Sequence, residues 1–189
     1  MCKEKNVLFL GDDIQTGLAR TGNMLCCDYE NVRPDVLILG KALSGGTIPL
    51  SVVLCDDEIM LTIKPGEHGS TYGGNPLACS VGITSLQVLL DEKLAENSFY
   101  LGNIFRDEIK KINSPLIALV RGKGLLNAIV VKMKNGKEAW DFCLALKENG
   151  LLAKPTHGDK TRFAPPLVIT EEQLMECIDI IKKTVEEFE

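Results

Sequence analysis

The run Asp35-Val36-Leu37-Ile38-Leu39-Gly40-Lys41-Ala42-Leu43-Ser44-Gly45-Gly46 constrains this chain more than any other stretch. An apolar segment this short, closed by a glycine, has the length of a buried strand rather than a helix. The strand stops at a lysine. Gly40, Gly45 and Gly46 bracket that lysine and let backbone pack closely around it. Desolvation at the end of a buried strand disfavours the charged ammonium and leaves a nucleophilic amine. On these residues alone two readings are open. Lys41 either forms a Schiff base with a carbonyl cofactor or simply leaves the strand for solvent.

A second run, Val7-Leu8-Phe9-Leu10-Gly11-Asp12-Asp13-Ile14-Gln15-Thr16-Gly17, reads as another apolar strand, and it ends in two acids. Pyridoxal phosphate chemistry needs an acid beside the pyridine nitrogen, which keeps the ring protonated and electron-withdrawing. Two neighbouring strand ends, one with Asp and one with Lys, supply both ends of that cofactor. Without further context, Asp12 and Asp13 read equally well as a helix N-cap pair. A third stretch, His68-Gly69-Ser70-Thr71-Tyr72-Gly73-Gly74-Asn75-Pro76, is too rich in glycine for a helix or a central strand. It predicts a functional loop whose N–H groups and hydroxyls, those of Ser70 and Thr71 among them, can meet an anion.

With Asp28 to Asp35, Gly40 to Gly46, His68 to Leu77, Asn149 to Asp159 and Arg162 to Leu167 taken together, the chain resembles the class III, fold-type I aminotransferases from about Val7 to its C-terminus. The resemblance implies an α/β chain that is the C-terminal part of a fold-type I pyridoxal-phosphate-dependent transferase. Residues 1–96 would be part of the mainly parallel large-domain sheet with its helices, and residues 97–189 a small α+β domain. It implies that Lys41 carries the cofactor and then acts as general base, that Asp12 pairs with the pyridine nitrogen, and that Gln15 bonds the ring's phenolic oxygen. Ser70 and Thr71 would bind cofactor phosphate, the threonine that of a neighbouring subunit, which implies a homodimer with shared active sites. Arg162 would grip the substrate α-carboxylate with paired hydrogen bonds, although on its own it also reads as half of a structural ion pair.

The implied reaction passes an ω-amino group to a 2-oxo acid. The resemblance, most specific in the run Asn149 to Asp159, implies the δ-amino group of ornithine with 2-oxoglutarate as acceptor, ahead of N-acetylornithine or another ω-amino donor. Three departures from the family pattern stand out: Gly11 for alanine, Asp13 for glutamate, and Thr47-Ile48 where an aromatic is common. The family's N-terminal region, with its phosphate-cradling turn and ring-stacking aromatic, has no counterpart in these residues. A catalytically inactive remnant that survives by pairing with another chain is therefore the other expectation.

Composition narrows the classes further. At 189 residues, 45% hydrophobic and 25% charged, the chain is an ordinary globular one. Its formal charge of −5 provides no electrostatic footprint for nucleic acid. No apolar run approaches the roughly 20 residues of a membrane span, and no signal or transit peptide is evident. The compartment expected is cytoplasm or mitochondrial matrix, not the secretory route. Seven cysteines, an odd number, predict free thiols. Two histidines, His68 and His157, give a metal site little to work with.

The remaining elements follow from pattern. Thr47 to Cys55 predicts a return strand, and Asp56 to Ile63 a short helix capped by Asp56 or Asp57. Pro76 opens a helix expected to be mostly buried. Glu92 to Ile112 predicts an amphipathic helix. Two strands flank a basic turn at Arg121-Gly122-Lys123-Gly124, which lacks P-loop spacing. Gly136 to Asn149 predicts a helix packed through Trp140, Cys143, Leu144 and Leu146, and Thr170-Glu171-Glu172-Gln173 is a capping box that starts the last helix.

Overall fold

The computed structural model describes residues 2–132 and 136–188. They form two compact units, Met1–Lys93 and Leu94–Glu189.

The first unit is built on a three-stranded sheet of β1 (Leu10–Asp12), β2 (Val36–Leu39) and β3 (Val52–Cys55), in that order. β1 and β2 are parallel, with Asp12 opposite Ile38, whereas β3 returns antiparallel with Val52 opposite Leu39. β1 is shorter than the apolar run from Val7 predicts. The cause lies in the partner strand: Pro34 precedes β2 and has no N–H to continue the ladder. Asp35 takes over there, its carboxylate accepting from the Phe9 N–H at 2.8 Å and its own N–H donating to the Phe9 carbonyl at 2.9 Å. The return strand is likewise confined to its second half, because Pro49 lies in the approach to it.

α1 (Asp57–Met60) starts after Asp56, but the Asp56 carboxylate makes no cap bond. It pairs instead with Arg33 at 2.5 Å, on the surface. α2 (Pro76–Asp91) starts as expected, with Pro76 at its first turn and the Asn75 side chain accepting from the Ala78 N–H at 2.9 Å. The expectation that α2 is mostly buried is corrected: only Ala78 and Gly82 are buried, while Leu77 and Ile83 are 66% and 70% exposed. Its inner face meets the 3-10 turn Lys41–Ser44. Its outer face has no cover among the described residues. The buried cluster of this unit is small, centred on Leu18, Leu39 and Leu43.

The second unit has a closed core. α3 (Leu94–Lys111) presents Leu101, Phe105 and Ile109 inward, the stripe its sequence spacing predicts. A four-stranded sheet of β4 (Ile117–Lys123), β5 (Leu126–Val131), β7 (Lys160–Phe163) and β6 (Lys154–Thr156), in that spatial order, is antiparallel throughout. α4 (Ala139–Glu148) and α5 (Glu171–Phe188) complete the core with Phe142, Leu146, Leu174, Ile178, Ile181 and Val185. The capping box forms as read: Thr170 Oγ1 accepts from the Gln173 N–H, and Gln173 Oε1 from the Thr170 N–H.

Two readings here are corrected. Arg121, Gly122 and Lys123 belong to β4, and the hairpin turns at Gly124-Leu125. Gly102 on α3 packs so close beneath that turn that a Cβ there would lie 1.9 Å from the Gly124 carbonyl oxygen. On α4, Phe142 is fully buried while Trp140 and Leu144 are 58% and 42% exposed. The helix starts at Ala139, which fixes Ala139, Phe142, Cys143 and Leu146 on its inner face and turns Trp140 and Leu144 outward. The reading of Gly136 as the start of this helix is corrected: Gly136 lies in a turn and Glu138 stands at the N-cap.

Candidate active site

Parallel pairing of β1 and β2 brings their C-terminal ends to the same side of the sheet. In open α/β sheets, ligands bind beyond that end. Asp12 closes β1, and Lys41 follows β2 after Gly40. At Lys41 the chain breaks from extended to a 3-10 turn with φ at +47°. A residue with a Cβ is disfavoured there by about 1 kcal/mol, a strain held by the surrounding turn. The amine is exposed, which corrects the expectation that burial activates it. Its Nζ donates to Gln15 Oε1 at 3.3 Å.

Lys41 lines an open cleft of about 780 Å3 that is otherwise bounded by Ile48 to Ser51 on one side and Ser70 and Tyr72 to Asn75 on the other. Ser44 fixes the first wall, its hydroxyl donating to the Ile48 carbonyl and accepting from the Ile48 N–H. In the second wall Ser70 Oγ accepts from the Gly73 N–H at 2.8 Å, which closes the glycine-rich loop on itself. Thr71 is exposed and does not line this cleft.

The two acids divide. Asp12 is exposed, and among the described residues its carboxylate accepts only a local bond, from the Ile14 N–H at 3.2 Å. Asp13 is buried at 6% exposure, with Oδ1 accepting from Thr16 Oγ1 at 2.6 Å and Oδ2 from the Cys26 N–H at 2.8 Å. The N-cap reading therefore describes neither acid fully: Asp12 closes a short Asx turn, and Asp13 ties down a loop.

Arg162 lies on β7 in the second unit, opposite Ala128 on β5 and Lys154 on β6. It is half-buried. Among the described residues its guanidinium has no ion pair or hydrogen bond, so the structural ion pair is not formed there. Lys41, Gln15 and Asp12 lie at one sheet end, and Ser70 lines the same cleft as Lys41. The sequence offered Asp12 and Lys41 as neighbouring strand ends and Ser70 as part of an anion-binding loop. It missed Asp13 as an anchor and Ser44 and Ile48 as wall residues. The Asp-x-x-Thr spacing of Asp13 and Thr16 was the available signal for the anchor.

Residues 1–185 match the family model for aminotransferase class-III. The chain belongs to that family. It is 62% identical to a mitochondrial ornithine aminotransferase of Drosophila melanogaster over 98% of its own length, and 60% identical to that of Rattus norvegicus over 100%. It spans only 42% and 43% of those relatives. Among solved structures, it is similar to an acetylornithine aminotransferase from Elizabethkingia anophelis, with a TM-score of 0.94 and 60% identity over 99% of this chain and 47% of that one. An ornithine aminotransferase from Plasmodium yoelii also gives a TM-score of 0.94, at 55% identity over 100% of this chain and 50% of that one. These neighbours place the two units within the fold-type I architecture, of which this chain is a part. No helix among the described residues is long and apolar enough to cross a membrane.

Proposed function

We propose that this chain carries the lysine-bearing part of an ornithine aminotransferase. The reaction would pass the δ-amino group of ornithine to 2-oxoglutarate, giving glutamate-5-semialdehyde and glutamate. The observation that carries this is the meeting of Lys41, Gln15 and Asp12 at the carboxyl ends of two parallel strands, beside an open cleft.

The residues present fit pyridoxal phosphate. The Lys41 amine opens into a cleft of adequate volume, an exposed carboxylate ends the neighbouring strand, and a loop of hydroxyls and glycines faces the same cleft. When bound, the cofactor supplies a carbonyl for the amine and a ring that draws electrons from the substrate carbon. Lys41 would hold it through Nζ. The same amine, when free, would act as general base, taking up a proton at Nζ and giving it back. Asp12 would hold a proton at the pyridine nitrogen by its negative charge. The Gln15 amide would exchange its bond to Lys41 for one to the ring oxygen, and Arg162 would clamp a substrate carboxylate. Ser70 and Thr71 would serve cofactor phosphate, Thr71 in a neighbouring subunit, consistent with its absence from the cleft of its own chain. This reading carries a homodimer, amino-acid and 2-oxo-acid substrates, a cofactor-domain boundary near residue 96, and residence in cytoplasm or mitochondrial matrix. Relatives named as mitochondrial support the last point.

The test is the absorbance of the purified chain with added pyridoxal phosphate, for wild type and Lys41→Ala. A band near the visible edge that borohydride fixes only when Lys41 is present supports the reading. No lysine-dependent band would remove the claim that these residues hold the cofactor unaided. The similarity to an acetylornithine aminotransferase favours one second reading, and relative rates with ornithine and N-acetylornithine separate the two.

A further inference from the structure

We infer that Asp13 is the positioning residue of this site: a buried carboxylate that fixes Asp12, Gln15 and Lys41 relative to one another without touching the cofactor. The inference rests on the cofactor reading above and concerns what sets its geometry.

Asp13 is bonded in four directions. Its N–H donates to the Ile38 carbonyl at 3.0 Å, which extends the β1–β2 ladder past Asp12 toward the strand end that carries Lys41. Its carbonyl accepts from the Gly17 N–H at 2.9 Å and its Oδ1 from Thr16 Oγ1 at 2.6 Å. Together these close the turn of residues 13–17 from both backbone and side chain. Gln15 sits at the crown of that turn, facing Lys41 at 3.3 Å. The other carboxylate oxygen, Oδ2, accepts from the Cys26 N–H at 2.8 Å and draws the far end of the loop back to the strand. Thr21 Oγ1, donating to the Thr16 carbonyl at 2.8 Å, braces the same turn from behind.

This arrangement leaves Asp13 no role as a second acid at the ligand. Both oxygens are used, and the side chain is buried. It does leave Asp13 bonded at once to the strand that leads to Lys41, to the turn carrying Gln15 and to the loop beyond. A buried carboxylate satisfied by two donors is rigid, because releasing either one leaves an unpaired charge out of water. Sites held by such supporting residues lose function when the support is loosened, even where the groups that meet the ligand are unchanged.

Asp13→Asn tests this. The amide keeps one acceptor and loses the charge: with its oxygen on the Cys26 N–H, its NH2 must donate to Thr16 Oγ1, which reverses that bond and removes the charge-assisted part of the clamp. Asp13→Glu keeps charge and both acceptors. Tyr29→Phe is the structural control, since it removes the bond from Tyr29 Oη to the Thr21 carbonyl in the same loop. Each variant is titrated with pyridoxal phosphate, and the Lys41-dependent band is followed as a function of pH. Asp13→Asn should weaken cofactor capture about tenfold or more and shift the pH at which the band titrates, because the turn that holds Gln15 against Lys41 is loosened. Asp13→Glu should restore both, and Tyr29→Phe should lower thermal stability without moving the midpoint. A midpoint and affinity unchanged in Asp13→Asn, in a chain whose wild type shows the band, would overturn the inference. Equal shifts in Tyr29→Phe would overturn it too, by reducing Asp13 to general stability. A wild type with no lysine-dependent band fails the cofactor reading itself. The inference then stands or falls on whether the ¹⁵N resonances of the Gln15 side-chain amide shift in Asp13→Asn as they do in Lys41→Ala.

Discussion

Lys41 Nζ donates to Gln15 Oε1 at 3.3 Å, across the adjacent ends of two parallel strands. The bond is long and exposed, so its weight lies in placement and not in folding. Gln15→Ala should therefore leave the melting temperature unchanged while weakening retention of pyridoxal phosphate about fivefold, the equivalent of one modest hydrogen bond. Absorbance titration checks the second and differential scanning calorimetry the first.

Gly102→Ala should destabilise the second unit by about 1–3 kcal/mol, the usual cost of overpacking. The added methyl meets the backbone of Gly124, at 1.9 Å from its carbonyl oxygen, not a side chain that can rotate away. Gly69→Ala is the control: nothing lies within 4 Å of a Cβ there, and its change should stay within about 0.5 kcal/mol. Urea unfolding followed by far-ultraviolet circular dichroism reads both.

What was legible in the sequence was local. The strand before Lys41, the amphipathic stripe of α3 and the capping box of α5 each depend on residues within a few positions of one another, and each formed. What was not legible depends on what lies opposite. The apolar residues of α2 gave no sign that Leu77 and Ile83 would face outward. Trp140 and Leu144 look as core-forming as Phe142 until the helix phase is fixed by its first residue. At the site, the placing of Asp12 and Lys41 at neighbouring strand ends was readable. The division of labour between Asp12 and Asp13 was not, because it turns on a bond to Cys26, thirteen residues along the chain.

Residues Leu94–Glu189 should fold alone, and residues Met1–Lys93 should not. The second unit encloses Leu101, Phe105, Ile129, Phe142, Leu146 and Ile181 in one continuous core between a sheet and its helices. The first leaves Val7, Leu8, Leu10, Leu77 and Ile83 more than half exposed around a small cluster. Apolar surface of that extent associates or aggregates. The isolated second unit should show a cooperative urea transition and dispersed amide resonances. The isolated first unit should bind a hydrophobic dye and elute as aggregate. A sharp transition in residues Met1–Lys93 would show that its small cluster suffices.

Arg162→Lys should raise the half-saturating concentration of 2-oxoglutarate about tenfold or more with little change in turnover, in any assembly of this chain that turns over. A lysine keeps the charge but loses the planar pair of donors that meets a carboxylate in parallel. Because the guanidinium has no protein partner among the described residues, the substitution breaks no ion pair there and stability should hold. Steady-state kinetics in 2-oxoglutarate decide it. A fall in turnover with unchanged half-saturation would assign Arg162 to the chemistry instead.

The second unit should lose stability in alkali through its thiols. Burial pushes the thiol of Cys143 above its ordinary value of 9.0, with a contact to Thr161 Oγ1 pulling part of the way back. Burial raises the Cys177 thiol as well, helped by the charge of Glu176. The folded chain therefore holds these protons more tightly than the unfolded one. Their contribution is complete below the unfolded thiol value and falls away as pH rises through it toward the raised folded values. Urea midpoints measured between about pH 7.5 and about pH 10.5 should decline above about pH 9, and Cys143→Ala should flatten that decline even though it lowers the midpoint at neutral pH. The same protection predicts an order of reactivity. Cys79 is exposed on α2 and should react first with a thiol reagent, while Cys143, buried on α4, should react only as fast as the second unit opens. A Cys143 that reacts as quickly as Cys79 in the folded chain would show that α4 does not hold its inner face against the sheet.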